Sequence, residues 1–179
     1  MNDELKSFWQ NGLSELNKAV TDVNHPFRTC VLATVFKEKV NQRTVVHRNF
    51  YQNNTSIIYT DSRSKKVLQL ESNPISSLLF YDPEKQLQIS VAGLMNVHEA
   101  DEVCMTEFNK LSRHDDYTNN PPPGSLIKQS NHYDKGKAFF IVLKFNWLEV
   151  DVLQLSREGH KRSFMRRVDN TWHGNWIVP

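Results

Sequence analysis

The stretch Tyr59-Thr60-Asp61-Ser62-Arg63-Ser64-Lys65-Lys66 (YTDSRSKK) is the most informative segment of this 179-residue chain. The residues at 56–60 have the β-branched and aromatic composition of a strand, and helical spacing begins at Ser64. Ser64 is therefore a predicted N-cap, and two lysines open the helix that follows. Because a helix N-terminus carries unpaired N–H groups and a partial positive charge, it attracts anions. Lysines in this turn indicate either a nearby anion or only a solvated basic face.

Outward from this segment, short strands alternate with a few helices. We predict helices at 3–20, 64–71, 100–111 and 125–131, the second of them ending at Asn73-Pro74. We predict strands at 30–36, 43–48, 56–60, 75–81, 86–98, 138–145, 147–155, 163–168 and 171–178. This order indicates a mainly β protein with inserted helices, a small β-barrel formed as one domain over 1–179 with an N-terminal helix within 1–22.

Composition excludes several classes of protein. Twenty-two Lys and Arg residues oppose twenty Asp and Glu residues, and a formal net charge of +2 argues against a nucleic-acid-binding protein. Cys30 and Cys104 lie far apart without metal-ligand spacing, so we expect neither a disulfide nor a metal site. The chain has no signal-peptide pattern and no apolar run of about 20 residues. We therefore expect a cytoplasmic protein that has no membrane partner.

Three further segments carry groups that could bind a cofactor. The predicted strand RTVVHR (43–48) has basic residues at both ends, and Gln88 and the pair Gln129-Ser130 offer uncharged hydrogen-bonding groups. An ordered set of short motifs runs along the chain. It consists of RTVVHR, YTDSRSKK, QLESNPISSLLF (69–80), Lys128-Gln129-Ser130 and the closing His160, Arg162 and Trp172. This set resembles the FMN-binding split-barrel family of pyridoxamine 5'-phosphate oxidase, over nearly the whole chain after the first helix.

The resemblance implies an FMN cofactor and a homodimer that holds FMN at its interface. Arg43 and Lys66 would pair with the FMN phosphate, and Ser64 and Lys65 would complete this site. Val45, Tyr59 and Thr60 would lie along the flavin ring and the ribityl chain. The groups that would reach the flavin from other segments are Gln88 and, from the partner subunit, Gln129 and Ser130.

The same resemblance implies a small-molecule substrate above the flavin. Arg162 and His160 are the candidate catalytic residues and would orient this substrate. Arg48 and Arg113 would contact it. Glu158 stands where the family has an arginine that binds substrate, so an anionic substrate group would be repelled there. Three hypotheses follow: an FMN-dependent oxidoreductase, a flavin-binding stress or storage protein of the same fold, and a structural dimer without flavin.

Overall fold

The computed structural model describes residues 1–112, 115–128, 134–136 and 138–179. Three predicted candidates, Arg113, Gln129 and Ser130, lie outside the described residues. The described part contains these helices and strands: α1 (Asp3–Thr21), β1 (Thr29–Phe36), β2 (Lys39–Tyr51), β3 (Thr55–Asp61), α2 (Lys65–Ser72), β4 (Ile75–Asp82), β5 (Leu87–His98), α3 (Glu102–Phe108), β6 (Asn119–Asn120), β7 (Asp134–Lys135), β8 (Phe140–Gln154), β9 (Lys161–Val168) and β10 (Thr171–Trp176).

Six antiparallel strands close into a barrel in the order β8, β3, β2, β1, β4 and β5, because β5 also pairs with β8. The first half of β8 pairs with β3, and its second half pairs with β9, which continues to β10. A strand that changes partner along its length opens one side of the barrel. The predicted class, mainly β with inserted helices in a split barrel, is confirmed.

The barrel interior is filled by apolar side chains, and the buried face of α1 joins the same apolar cluster. Inward residues alternate along each strand and include Leu32, Ile58, Phe80 and Trp147, all of them buried. The predicted apolar stripe of α1 lies on the aromatic residues of β10: the Phe8 and Trp176 ring centroids are 5.2 Å apart, and those of Trp9 and Trp172 are 5.4 Å apart.

The sequence predicted two strands, at 138–145 and 147–155, where the structure has the single strand β8. The alternation of buried side chains changes phase between Trp147 and Val150, which appears in the sequence as a break. A bulge opposite Ala92 and Gly93 absorbs the extra residue without ending the strand. Gly93 allows this close approach, since a Cβ there would lie 2.1 Å from the Asn146 carbonyl oxygen.

Two predicted helices also differ from the structure. Residues 125–128, the described part of the helix predicted at 125–131, are not helical, and Leu126 is fully exposed, so that no packing supports a helix. The helix predicted at 100–111 is shorter and begins only at Glu102. Asp101 accepts a hydrogen bond from the Cys104 backbone N–H (2.8 Å), which fixes this helix start as an N-cap.

No helix in the described part of the chain is long and apolar enough to cross a membrane. Within the same described ranges, no group of three or more His, Cys, Asp or Glu side chains is placed to hold a metal ion.

Candidate functional site

At the junction between β3 and α2, the ammonium group of a lysine in α2 donates hydrogen bonds to two buried hydroxyl groups. Lys66 Nζ donates to Thr60 Oγ1 (2.8 Å) and to Ser64 Oγ (3.2 Å), and these two oxygens are 3.4 Å apart. Thr60 is at the end of β3, and Ser64 precedes the first turn of α2. Ser64 occupies the predicted N-cap position of α2, but its hydroxyl makes no capping hydrogen bond. The hydroxyl accepts from Lys66 instead.

Arg43 reaches the same helix from β2. Its guanidinium donates to Thr34 Oγ1 (2.7 Å) and to Gln69 Oε1 (2.7 Å), and more weakly to the Leu32 carbonyl (3.3 Å). Gln69 lies three residues after Lys66 on α2, so the two side chains lie on the same side of the helix, Gln69 against β1 and β2 and Lys66 against the end of β3. We call Arg43, Thr60, Ser64 and Lys66 the cradle.

The two cations of the cradle have only uncharged acceptors. Among the described residues, neither Arg43 nor Lys66 forms an ion pair with a carboxylate. Burial, together with the nearby Arg43 charge, lowers the pKa of Lys66, and burial lowers the pKa of Arg43. Burial therefore disfavours both positive charges, and for Lys66 the charge of Asp61 opposes this effect only in part.

Asp61, the nearest acid in the sequence, is engaged elsewhere. Its carboxylate accepts from Arg63 Nε (3.0 Å), Arg63 Nη2 (2.6 Å) and the Arg63 backbone N–H (2.8 Å). Arg63 also donates to the Asn119 carbonyl (2.6 Å), so the Asp61 carboxylate is hydrogen-bonded to Arg63 and acts on Lys66 only through its charge. Two of the predicted cofactor residues contribute no side-chain contact to the cradle: Val45 is buried in the barrel core, and Lys65 is exposed.

On the opposite face of β3, Tyr59 binds a buried carboxylate that the sequence analysis did not identify. Tyr59 Oη donates to Glu107 Oε2 (2.6 Å), while Glu107 Oε1 accepts from Tyr51 Oη and from Lys110 Nζ (2.6 Å). Burial opposes ionisation of Glu107, but these three donors outweigh it and hold its pKa below the ordinary value. Burial and the bond to Glu107 raise the pKa of Tyr59, which stays a protonated donor.

Arg48, a predicted substrate residue, lies beside this group. Its guanidinium carbon is 5.6 Å from the Tyr59 ring centroid. Burial raises the pKa of the Tyr117 phenol, and the charge and hydrogen bond of Arg48 offset this rise only in part. Burial and the charge of Arg48 lower the pKa of Arg28. Tyr117 and Arg28 were missed because they reach Arg48 only through the tertiary structure, and no local spacing links them to it.

Gln88 and Arg162 share one row across the outer surface of the sheet. The register pairs Tyr81 with Gln88, Gln88 with Leu153, and Leu153 with Arg162, so all four side chains are on the same face. Arg162 is held by Asp151, with Nη2 to Oδ2 at 2.9 Å and Nε to Oδ1 at 3.1 Å. The hydrogen bond from Arg162 to Asp151 raises the Arg162 pKa. We call Tyr81, Gln88, Leu153 and Arg162 the outer row.

His160 and Arg162, the predicted catalytic pair, line one surface pocket of about 310 Å³ together with Glu4, Lys161, Trp176 and Ile177. His160 Nδ1 accepts from the Ser156 backbone N–H (3.2 Å), which assigns the proton of the neutral ring to Nε2. Lys161 is paired with Glu4 of α1 (3.0 Å). Glu158 lines an adjacent polar pocket that shares Glu4 and Lys161.

The structure thus brings the predicted residues together in two separate groups. One group is the cradle, with Tyr59 on the opposite face of β3, and the other is the outer row with His160. Within one chain, no hydrogen bond or ion pair between described residues joins the two groups. Arg43 and Thr60 lie on the inward face of β2 and β3, which they share with the core residues Val45 and Ile58, whereas the outer row lies on the outward face.

Comparison with known proteins gives the following matches. Residues 6–99, from α1 to β5, match the family model described as pyridoxamine 5'-phosphate oxidase, FMN-binding domain. The crystal structure of a pyridoxamine 5'-phosphate oxidase-related, FMN-binding protein from Nostoc punctiforme is similar with a TM-score of 0.80 and 23% identity, over 96% of this chain and 97% of that chain. No curated protein matches the chain.

Two more solved structures share the fold. PhzG from Burkholderia lata, solved in complex with tetrahydrophenazine-1-carboxylic acid, has a TM-score of 0.74 and 17% identity, over 97% of this chain and 91% of that chain. General Stress Protein 26 from Bacillus anthracis has a TM-score of 0.50 and 22% identity, over 77% of this chain and 93% of that chain. At these identities the similarity establishes the fold alone.

Proposed function

Because the chain belongs to the pyridoxamine 5'-phosphate oxidase FMN-binding domain family, we propose that it binds FMN and acts as an oxidoreductase on a small substrate. The observation that carries the cofactor assignment is the cradle. Arg43 and Lys66 are two partly buried cations without a carboxylate partner in the described residues, and their neutral acceptors leave room for further charge-assisted bonds.

A phosphate dianion fits the donor chemistry of the cradle. Lys66 offers ammonium protons, Arg43 offers a planar guanidinium, and the hydroxyls of Thr60 and Ser64 can each turn a proton toward an oxygen. The start of α2 adds a partial positive charge, and its first turn contains no acidic residue to compete with the ligand. Lys65, exposed at the first position of α2, would add longer-range attraction.

Bound FMN would supply a ring able to accept a hydride at N5 and to pass electrons to dioxygen or another acceptor. We propose that the backbone of Val45 and the end of β3 at Tyr59 and Thr60 follow the ring and the ribityl chain. The side chain of Val45 takes no part, since it belongs to the barrel core. The protein's contribution is therefore to hold the phosphate firmly and to leave one face of the ring accessible.

We further propose that the active form is a homodimer with FMN at the interface. The outer row faces away from the barrel, and the exposed Leu79 and Tyr81 give this face an apolar component. The groups that we assign to the second side of the flavin are Gln88, Arg162 and, from the partner subunit, Gln129 and Ser130. This arrangement would place groups from both copies around each flavin.

Substrate orientation is assigned to three cationic or polar side chains. Asp151 fixes the Arg162 guanidinium in one direction, and the Ser156 backbone N–H leaves His160 Nε2 as a donor toward the pocket that both residues line. Arg48 would hold a further substrate group from the Tyr59 side. These residues orient the substrate by hydrogen bonds, and no side chain among them is required as a general base.

A second candidate function is a flavin-binding stress or storage protein of the same fold. Glu158 favours it, because this exposed carboxylate lies next to the His160 pocket and repels an anionic substrate. Both candidates require FMN, so they differ in turnover and not in cofactor binding.

Titration of the purified, flavin-free protein with FMN tests the proposal. We expect a yellow protein that binds one FMN per chain and releases FMN on denaturation, whereas a protein that takes up no FMN would refute both candidates. The FMN-loaded protein is then mixed with pyridoxamine 5'-phosphate in air. Formation of hydrogen peroxide and aldehyde supports the oxidoreductase, and FMN binding without either product supports the second candidate.

A further inference from the structure

We propose that Glu107 is a positioning residue for the cofactor site: it holds Tyr59 on one face of β3 so that Thr60, on the other face, stays in the cradle. This inference rests on the proposed FMN function, and it assigns a role to a residue of α3 that lies outside the segment matched by the family model. Glu107 touches neither the cradle nor Arg48, so it acts only through the tyrosine.

The carboxylate of Glu107 is bonded on both oxygens and almost wholly shielded from water. It is 1% exposed, and its three donors arrive from different elements: Tyr59 from β3, Tyr51 from β2 and Lys110 from just after α3. Each oxygen has its own tyrosine, Oε2 for Tyr59 and Oε1 for Tyr51. A buried carboxylate with charge-assisted bonds in fixed directions restrains its donors more than an apolar contact would.

Tyr59 and Thr60 are consecutive residues of one strand, so their side chains project to opposite faces. The Tyr59 ring lies between Glu107 and Phe140, whose ring centroid is 5.1 Å away, on the α3 side of the sheet. Thr60 Oγ1 accepts from Lys66 Nζ on the other side. A shift of the strand end at Tyr59 therefore displaces the oxygen that holds the Lys66 ammonium.

Tyr59 also packs against Arg48, the proposed substrate residue. The Arg48 guanidinium lies over the face of the Tyr59 ring, and its Nε is buried without a hydrogen-bond partner. Because the Tyr59 hydroxyl is fixed by Glu107, the plane of the ring and hence the surface under Arg48 are fixed as well. Glu107 thus influences both the phosphate side and the proposed substrate side of β3.

Tyr51 provides a matched control within the same cluster. Tyr51→Phe removes one phenol hydrogen bond from Glu107, as Tyr59→Phe does, but Oε1 still accepts from Lys110 and Oε2 still accepts from Tyr59 Oη. Both variants should lose similar thermal stability. A purely structural role for Glu107 predicts that they also have similar effects on the cofactor.

The experiment measures the dissociation constants of FMN and of riboflavin, which lacks the phosphate, for the wild type and for Glu107→Gln, Tyr59→Phe and Tyr51→Phe. We expect Glu107→Gln and Tyr59→Phe to weaken FMN binding about tenfold and riboflavin binding less than about threefold, and Tyr51→Phe to change both less than about twofold. Equal effects of the two tyrosine variants on FMN, or no effect of Glu107→Gln, would overturn the proposal.

A readout on the unloaded protein separates this inference from the proposed function. In the flavin-free state we expect the NMR signals of the Thr60 methyl group to shift in Glu107→Gln and Tyr59→Phe but not in Tyr51→Phe. A shift with this pattern in a protein that binds no FMN would refute the FMN function and keep the coupling through β3. FMN binding by the wild type without this pattern would refute the coupling and keep the function.

Discussion

Two clusters of charged residues in this protein have opposite composition. Around Glu15 on α1, one nearly buried carboxylate accepts from Lys18 Nζ (2.7 Å), His25 Nε2 (3.0 Å) and Lys85 Nζ. In the cradle, two cations share neutral acceptors without a carboxylate in the described residues. The cations of the Glu15 cluster already have a carboxylate partner, and the cluster joins α1 to the β4–β5 turn. The cations of the cradle have none within the described ranges, so an added anion would stabilise them. A basic cluster therefore indicates a ligand site when no carboxylate is hydrogen-bonded to its cations.

The largest expected effect is the loss of the acid from the complete cluster. Glu15→Ala would leave His25 and the half-exposed Lys18 and Lys85 without the carboxylate that binds them, and we expect the free energy of unfolding to fall by about 2–3 kcal/mol. Urea denaturation measures this loss, with the exposed Glu84→Ala as the control that should change stability by less than about 0.5 kcal/mol. A loss below 1 kcal/mol for Glu15→Ala would show that the cluster does not hold α1 in place.

The next effect is the pH dependence that the Glu15 cluster causes. Burial opposes its ionisation, but the bonds from Lys18, Lys85 and His25 lower the pKa of Glu15 from 4.5 to about 2. A lowered acid pKa stabilises the folded state fully above about pH 4.5, and this contribution, up to about 3 kcal/mol, is lost as the pH falls toward 2.

Comparison of the wild type with Glu15→Gln by urea denaturation between pH 7 and pH 2 measures this term. The stability difference between them should shrink as the pH falls, and a constant difference would contradict the assigned pKa shift.

A smaller effect is expected from the cradle, and it should appear in ligand binding. Lys66→Ala removes one charge-assisted contact to the phosphate, so we expect the dissociation constant of FMN to rise about 10- to 100-fold. Lys39→Ala, an exposed lysine on the same strand as Arg43, is the control and should change FMN binding less than about twofold. An unchanged FMN affinity in Lys66→Ala would place the phosphate elsewhere.

The smallest effect is the stability of the unloaded cradle. Lys66→Met keeps most of the side-chain volume and removes a charge that lies near Arg43, so we expect the flavin-free protein to lose less than about 1 kcal/mol or to gain stability. The same variant should lose the thermal stabilisation that FMN gives the wild type. A large loss of stability without FMN would mean that Lys66 is a structural residue like those around Glu15.

Local patterns predicted most of the fold and the centre of the cradle. Alternating and helical spacing located β1 to β5, α1 and α2, and the strand-to-helix junction brought together Thr60, Ser64 and Lys66, the outermost of which are six residues apart. The break predicted inside β8 was wrong because a bulge changes the phase of burial without ending the strand. The helix predicted at 125–131 was wrong over its described residues because apolar residues form a stable helix only where they can pack.

The residues that the sequence analysis missed are bonded through long-range contacts. Glu107 meets Tyr59 and Tyr51 across about 50 intervening residues, and Asp151 meets Arg162 only through the register of β8 and β9. No local periodicity identifies such acids. Glu107 is a charged residue of a short amphipathic helix, and such residues are usually solvent-exposed. A known strand register would have identified Asp151, whereas Glu107 required the packing of α3 on β3.

The central claim is that the cradle binds a phosphate, and the ratio of riboflavin to FMN dissociation constants tests it most directly. The account predicts that the wild type binds FMN at least about 100-fold more tightly than riboflavin, and that this ratio falls to near one in the double variant Arg43→Ala, Lys66→Ala. A wild type that binds both flavins equally, or a double variant that keeps the wild-type ratio, would contradict it.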